Sequence, residues 1–305
     1  MKKLLLLTTV SIFFWNLENF FDWRSDGTGY DAVFTASGER HWTYKRFKKK
    51  CADVAKALLW CASQEGGLPD AVGFAELENK FVLQCLLKYT ILEKLDYKIV
   101  HFESPDRRGI DVGLIYRSGR LRLLAARPVT VAGARGKDTL RTRDILVADF
   151  VTTEGDTLTL AVNHHPSKFG GGDSDWRRRA ALASLAGVAD SARAAGGKFI
   201  AMGDFNDVPD SPFYARFCDS AGLESLALPL AKAGQGTIRY EGRWELIDHF
   251  YVQKGTSAQM KIMKVPFLMT RDNVHAGEKP LRTYTGPRYA GGVSDHLPIM
   301  LRFEI

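Results

Sequence analysis

The chain alternates short apolar runs with longer amphipathic stretches, and the principal apolar runs stop at a polar residue. Residues 10–15 (VSIFFW) read as a buried strand that ends at Asn16. Residues 70–75 end at Glu76, 158–163 at His164, and 198–202 at Gly203-Asp204. Between them, residues 43–60 carry Phe47, Cys51, Val54, Ala55, Leu58 and Leu59 at helical spacing, so an amphipathic helix is expected there. Its Lys45, Arg46, Lys48, Lys49 and Lys50 are expected on a solvated face. Helices are also expected over 80–89 and 175–195. Further strands are expected over 98–102, 110–117, 121–131, 144–151, 237–240, 244–246, 250–252, 262–265 and 297–305.

About a dozen strands with three or four long helices, and no repeat or long linker, fit one α/β domain over residues 1–305. The many hairpins point to two packed mixed sheets with helices outside, a four-layer sandwich, and not to a purely parallel sheet. No GxGxxG follows the first strand, which removes a dinucleotide-binding reading, and no GxSxG supports a serine hydrolase. The four cysteines, Cys51, Cys61, Cys85 and Cys218, form no CxxC pair and read as small buried hydrophobes.

The net charge of +7 suits a polyanionic partner such as nucleic acid. The start, Met1-Lys2-Lys3 followed by Leu4 to Leu7, is leader-like. Because it overlaps the first strand and cleavage near Ser11 would remove most of that strand, the cytoplasm is preferred over export. No stretch approaches the ~18 apolar residues of a membrane span, so no stable membrane insertion is expected. A monomer is the expected state.

Six clusters carry chemistry. Asn16 ends the first strand in WNLEN, and Glu76 follows an apolar strand in GFAELEN, where a carboxylate suits a hard cation that prefers oxygen. Asp111 opens a strand in RRGIDVGLIYR and could orient a histidine. His164 and His165 in VNHHPSK, with Ser167, Lys168 and the arginines Arg177 to Arg179, suit a phosphate-binding wall. A zinc site is disfavoured without cysteine ligands or HExxH, and Gly171 to Asp175 lacks the Gly and Glu positions of a calcium loop. GDFND sets the carboxylate of Asp204 and the amide of Asn206 on one side of a strand. Two Asp-His pairs, Asp248-His249 and Asp295-His296, complete the set, since an Asp can fix the tautomer of a working His.

Taken in order, WNLEN, GFAELEN, RRGIDVGLIYR, VNHHPSK, GDFND, ELIDHFYV and SDHLPI resemble the endonuclease/exonuclease/phosphatase superfamily of DNase I-like metallophosphoesterases. The His165-Pro166 context is more similar to the bacterial branch with Asn-His-x-x-Ser. The resemblance implies a two-sheet sandwich with its active site at one edge, and Mg²⁺, with Mn²⁺ as a substitute. It implies Glu76 as the main metal ligand, with Asp295 and Asn16 near the metal or phosphate. Asp204 would position or deprotonate water, Asn206 and His164 would hold phosphate oxygens, and His296 would be oriented by Asp248. Arg177 and Arg178 are added as substrate contacts, and Asp111 as partner of His164. The expected activity is hydrolysis of phosphate esters, as a phosphodiesterase or nuclease. Phosphatase and lipid phosphodiesterase activity are the alternatives, with a catalytically silent binding protein on the same fold as the third.

Overall fold

A computed structural model describes residues 9–24, 29–136, 138–168 and 175–304. The leader-like start, the glycine-rich stretch 170–172 and Asp173 lie outside the described residues. Twelve strands build the two main sheets: β1 Thr9–Phe20, β2 Ala71–Leu77, β3 Tyr97–His101, β4 Asp111–Arg117, β5 Leu121–Val129, β6 Ile145–Thr152, β7 Thr157–His164, β8 Lys198–Asp204, β9 Leu223–Ser225, β10 Asp248–Gln253, β11 Ala258–Ile262 and β12 Ile299–Glu304. The helices are α1 Tyr44–Glu65, α2 Lys80–Lys88, α3 Asp175–Ala194, α4 Pro212–Ala221 and the short α5 Ala227–Lys232.

The sheets share one plan. The first runs β11-β12-β1-β2-β4-β3 and the second β9-β10-β8-β7-β6-β5, six strands each. Each has one parallel pair at its centre, β1 with β2 and β7 with β8, flanked by antiparallel neighbours. Parallel neighbours run the same way, so both central pairs deliver the residues after their last apolar position to the same edge.

Alternation along the strands builds the layers. In β1, Ile12 and Phe14 join Leu114, Leu160, Val162, Met202, Phe250 and Leu301 in the core between the sheets. Phe13 and Trp15 point the other way, into a core formed with Phe47, Val54 and Leu58 of α1 and Val82 and Leu86 of α2. On the far side, Val147, Ala161, Phe199 and Ala201 pack against Leu182 and Leu185 of α3 and Tyr214 and Phe217 of α4. The result is the helix–sheet–sheet–helix sandwich expected from the sequence. Burying each such Phe or Leu contributes roughly 1.5–3 kcal/mol.

Local signals set the helix ends. Gly66 closes α1 in the left-handed region at φ 75°, donating to Ala62 O, and the Asn79 side chain caps α2 by accepting from Val82 N at 3.2 Å. Helix α4 was not expected, although Pro212 at its first turn and Tyr214, Phe217 and Ala221 on its buried face carry the signal. The edge strand β11 covers Ala258–Ile262 and not 262–265, because its register is fixed by β12, where Ile262 pairs with Ile299. Cys51, Cys61 and Cys85 are buried free thiols and Cys218 is half-buried. Lys50 breaks the expectation of a solvated lysine face: it is buried, turned inward beside Cys51 on the face that meets the first sheet. Among the described residues no helix is long and apolar enough to cross a membrane.

Candidate active site

Three neighbouring strands of the second sheet align a row of side chains, His164 of β7, Asp204 of β8 and Asp248 of β10. Close approach of the backbones makes this possible. Gly203 lies opposite Asn163, and a Cβ at Gly203 would come within 2.3 Å of the Asn163 carbonyl oxygen. Gly203→Ala is therefore expected to cost about 1–3 kcal/mol, read as a lower denaturant midpoint. An unchanged midpoint would contradict this close approach.

The first sheet reaches the same edge through irregular backbone. Pairing of β1 with β2 shifts register between Asn16 and Phe20, and Glu76 is the extra residue where β2 shifts against β4. Glu18, Asn19, Glu76 and Asn206 all have positive φ, at 47°, 54°, 61° and 51°. Such strained non-glycine residues cost on the order of 1–3 kcal/mol each and persist where surrounding contacts hold them. Here the Glu76 carboxylate accepts from Asn19 N at 2.8 Å, and Asn206 N donates to Asp204 Oδ1 at 2.9 Å.

One oxygen lies at the centre. Asp204 Oδ2 accepts from Asn16 Nδ2 at 2.9 Å and lies 3.6 Å from His164 Nε2 and 3.8 Å from His296 Nε2. His164 Nε2 is also 3.8 Å from Glu76 Oε1. His296 arrives from the loop before β12 and is fixed by Asp248, its Nδ1 meeting Asp248 Oδ2 at 2.8 Å. Asp295 is on the rim, 3.9 Å from His296 Nε2. Of these, Glu76, His164, Asp204, Asp295 and His296 line a cleft of ≈ 400 Å³ with Glu18, Asp106, Arg108, Arg141, Thr142, Arg143, Ser167, Arg177, Asn206 and Arg282, while Asn16 and Asp248 support it from behind.

The two histidines are driven to opposite states. His164 is held well below the usual imidazole range by burial, then by Arg143 and Arg108, so it is neutral. Burial disfavours charge on His296 too. The adjacent carboxylates of Asp248, Asp204 and Asp295 outweigh it and hold the ring well above that range, as an imidazolium. Burial pushes the Asp204 carboxyl up to about 7; His296 pulls it back while Asp248 pushes it further.

Several sequence expectations are corrected by these contacts. Asp111 does not meet His164: its Oδ1 takes Ser104 N at 3.0 Å and the Ser104 hydroxyl, and its Oδ2 lies 3.3 Å from His101 on the neighbouring strand β3. His164 Nδ1 has no hydrogen-bond partner among the described residues. Arg178 is buried against Asp175 and Asp207 and does not line the cleft, whereas Arg177 does. Adjacent helical residues point about 100° apart, so the two arginines can take different surroundings, and here Arg178 is buried while Arg177 is exposed. His165 likewise leaves the phosphate wall for the α3/α4 core, edge-on to Phe205 at 4.6 Å. Asn16 is spent within the protein, donating to Asp204 and accepting from Glu18 N at 2.9 Å.

Other contributors lacked a local sequence signal. Arg143 clamps the His164 and His165 carbonyl oxygens at 3.2 and 2.7 Å and pairs with Asp106 at 3.0 Å. Buried Lys50 donates to Glu18 O and Thr283 Oγ1, both at 2.8 Å, while Arg282 joins the Glu18 carboxylate at 2.7 Å to Asp295 at 3.1 Å. Glu18 is pushed up to about 7 by burial and by Asp295.

The donor set fits a hard divalent cation. Glu76 and Asp295 offer carboxylate oxygens at the cleft, and acids are gathered closely enough there to raise one another's proton affinity. Asp204, Asp248 and His296 also lie within ligating distance of one another, but Asp248 is engaged by the imidazolium of His296.

A family model described as Endonuclease/Exonuclease/phosphatase family matches residues 11–305. The chain belongs to the endonuclease/exonuclease/phosphatase family. Endonucleases, exonucleases and phosphatases all hydrolyse phosphate esters, and enzymes of the endonuclease/exonuclease/phosphatase family generally depend on a divalent metal. Similar solved structures share the fold at low identity. The human Nocturnin catalytic domain with bound sulfate is 19% identical, with 97% of this chain and 94% of that chain covered and a TM-score of 0.59. A mannosyl-6-phosphatase from Bacteroides thetaiotaomicron is 14% identical, covering 96% and 99%, at 0.59. D. rerio TDP2 complexed with single strand DNA product is 19% identical, covering 98% and 100%, at 0.54. No curated protein matches the chain.

Proposed function

We propose that this protein is a Mg²⁺-dependent phosphodiesterase, with a nucleic-acid strand as the favoured substrate class. The observation that carries the reading is Asp204 Oδ2 set between a neutral and a cationic imidazole, 3.6 and 3.8 Å away, beside the Glu76 carboxylate. Glu76 and Asp295 would hold the cation, which when bound polarises a phosphoryl oxygen.

The remaining work falls to the chain's own groups. Asp204, with a proton affinity near neutrality, aligns and deprotonates the attacking water. His164 Nε2 and the second N–H of the Asn206 amide, whose first donates to His165 O at 2.9 Å, donate to the non-bridging oxygens. The His296 imidazolium stabilises the negative charge that builds in the transition state. Asn16 holds Asp204 in register, and Asp248 holds His296. The net charge of +7 favours a polyanion, and D. rerio TDP2 offers a precedent on this fold with single strand DNA product. Mannosyl-6-phosphatase is the precedent for a monoester.

Hydrolysis of bis(p-nitrophenyl) phosphate should require Mg²⁺, stop in EDTA and return on adding Mg²⁺ or Mn²⁺. Preference for p-nitrophenyl phosphate would move the protein to the phosphatases. Undiminished turnover in EDTA would remove the metal from the mechanism.

A further inference from the structure

The cleft holds more arginine than its own acids consume. Arg108 is bound to Asn19 and Glu76, Arg143 to Asp106 and two backbone carbonyls, and Arg282 to Glu18 and Asp295. Arg141 and Arg177 are different. Both are exposed and line the cleft, and neither has a carboxylate partner among the described residues. Among the described residues Arg177 meets the face of Trp176, at 5.7 Å.

Their supports are packed together. Arg141 lies in the segment that leads from a small hairpin to β6, and Leu140 N at its start donates to Gly133 O at 2.9 Å. A Cβ on Gly133 would come within 2.9 Å of Ala180 and 3.4 Å of the Trp176 ring, so this segment lies directly on the first turns of α3, which carries Arg177. Thr142 follows Arg141 and also lines the cleft. It is 4% exposed, and its hydroxyl has no hydrogen-bond partner among the described residues. A buried hydroxyl left unpaired is destabilising, and a ligand acceptor would relieve that. Two uncompensated guanidinium groups and a spare hydroxyl match the oxygens of a phosphate.

We propose that Arg141, Thr142 and Arg177 form a second anion subsite, on the wall of the cleft built by the second sheet, which binds a phosphate other than the one being cleaved. This rests on the reading of the cleft as a phosphodiester-cleaving site and narrows it to substrates carrying at least two phosphates. The second phosphate belongs either to the next linkage of a strand or to a small bisphosphate. Neither arginine touches the reacting groups, so the subsite acts on substrate affinity.

The test compares thymidylyl-thymidine with its 5′- and 3′-phosphorylated forms as substrates with Mg²⁺. Bis(p-nitrophenyl) phosphate serves as a one-phosphate control. One phosphorylated form should show a KM roughly tenfold or more below that of the unphosphorylated dinucleotide, at similar kcat. Arg141→Ala and Arg177→Ala should each shrink that ratio several-fold, and Thr142→Val partly, the loss appearing in KM for the phosphorylated dinucleotide and not in its kcat. Thymidine 3′,5′-bisphosphate and thymidine 5′-monophosphate, used as competitive inhibitors, separate the sources. Preference for the bisphosphate assigns the subsite to small molecules as well as strands; equal inhibition assigns it to strands. Equal KM for all three dinucleotides in the wild type, or a ratio that survives Arg141→Ala/Arg177→Ala, would overturn the subsite while leaving the phosphodiesterase reading standing. If no diester is cleaved, that reading falls, and calorimetric binding of the same dinucleotides still decides the subsite.

Discussion

Replacing His296 by asparagine is expected to lower turnover on a phosphodiester by on the order of 10³-fold while the protein stays folded. Asparagine keeps an N–H that can serve the buried Asp248 carboxylate, so the fold does not inherit an unpaired acid. What it removes is the cation. His296 is protonated because Asp248, Asp204 and Asp295 together outweigh the cost of its burial, and no neutral side chain at that position reproduces the charge. The pH dependence gives the sharper test. A histidine whose proton affinity is raised stays charged through neutrality, so activity that needs the cation falls only as pH rises through that raised value. Asp248→Asn removes the contact at 2.8 Å that does most to hold the proton. The alkaline limb of the kcat profile should therefore move to lower pH, with a loss at pH 8 on the order of 10²-fold. A His296→Asn enzyme within threefold of wild type, or an Asp248→Asn profile with an unmoved alkaline limb, would remove the imidazolium from the mechanism.

The second large effect is expected at Lys50. Lys50→Met should destabilise the protein by about 2–4 kcal/mol, measured by denaturant unfolding. Two effects oppose each other there. Removing a buried ammonium relieves its desolvation, which already lowers its proton affinity to about 8. Against that, Glu18 O and Thr283 Oγ1 lose their donor, and the buried Glu18 carboxylate loses a neighbouring positive charge. Loss should win because only one partner is removed. Arg282 still neutralises part of Glu18, which keeps the cost below that of a wholly uncompensated acid. Lys50→Met/Glu18→Gln should then recover part of the loss. A Lys50→Met protein as stable as wild type would show that the ammonium is dispensable.

Much of this architecture was legible because apolar runs and their polar ends are local. Residues 10–15, 70–75, 158–163 and 198–202 each declare a buried strand, and the residue that ends each one, or closely follows it, lines or supports the cleft. Partnerships across the chain were not legible. Asp111 could have oriented any histidine near the sheet edge, and strand pairing gives it His101. Lys50 looked like one more lysine in a basic run; its partners, the Glu18 carbonyl oxygen 32 residues earlier and the Thr283 hydroxyl, are distant in sequence. The split of Arg177 from Arg178, and of His164 from His165, follows from side-chain direction once the element is known. No dipeptide states which member faces in. Arg141 and Thr142 lie outside any regular element, where periodicity offers nothing to read.

The cleft is sewn together from the two extremes of the chain. Trp15 Nε1 donates to His296 O at 2.8 Å across 281 residues, and Ser294 Oγ donates to Asn16 O at 2.6 Å across 278. While the protein is being synthesised, the acids of the cleft floor leave the ribosome long before the imidazolium that completes them. A nascent chain, or one clipped by a protease between residues 205 and 282, carries Glu76 and Asp204 but neither Asp295 nor His296. Unfinished or damaged copies therefore lack the completed cleft, whose two halves meet only when both segments are present.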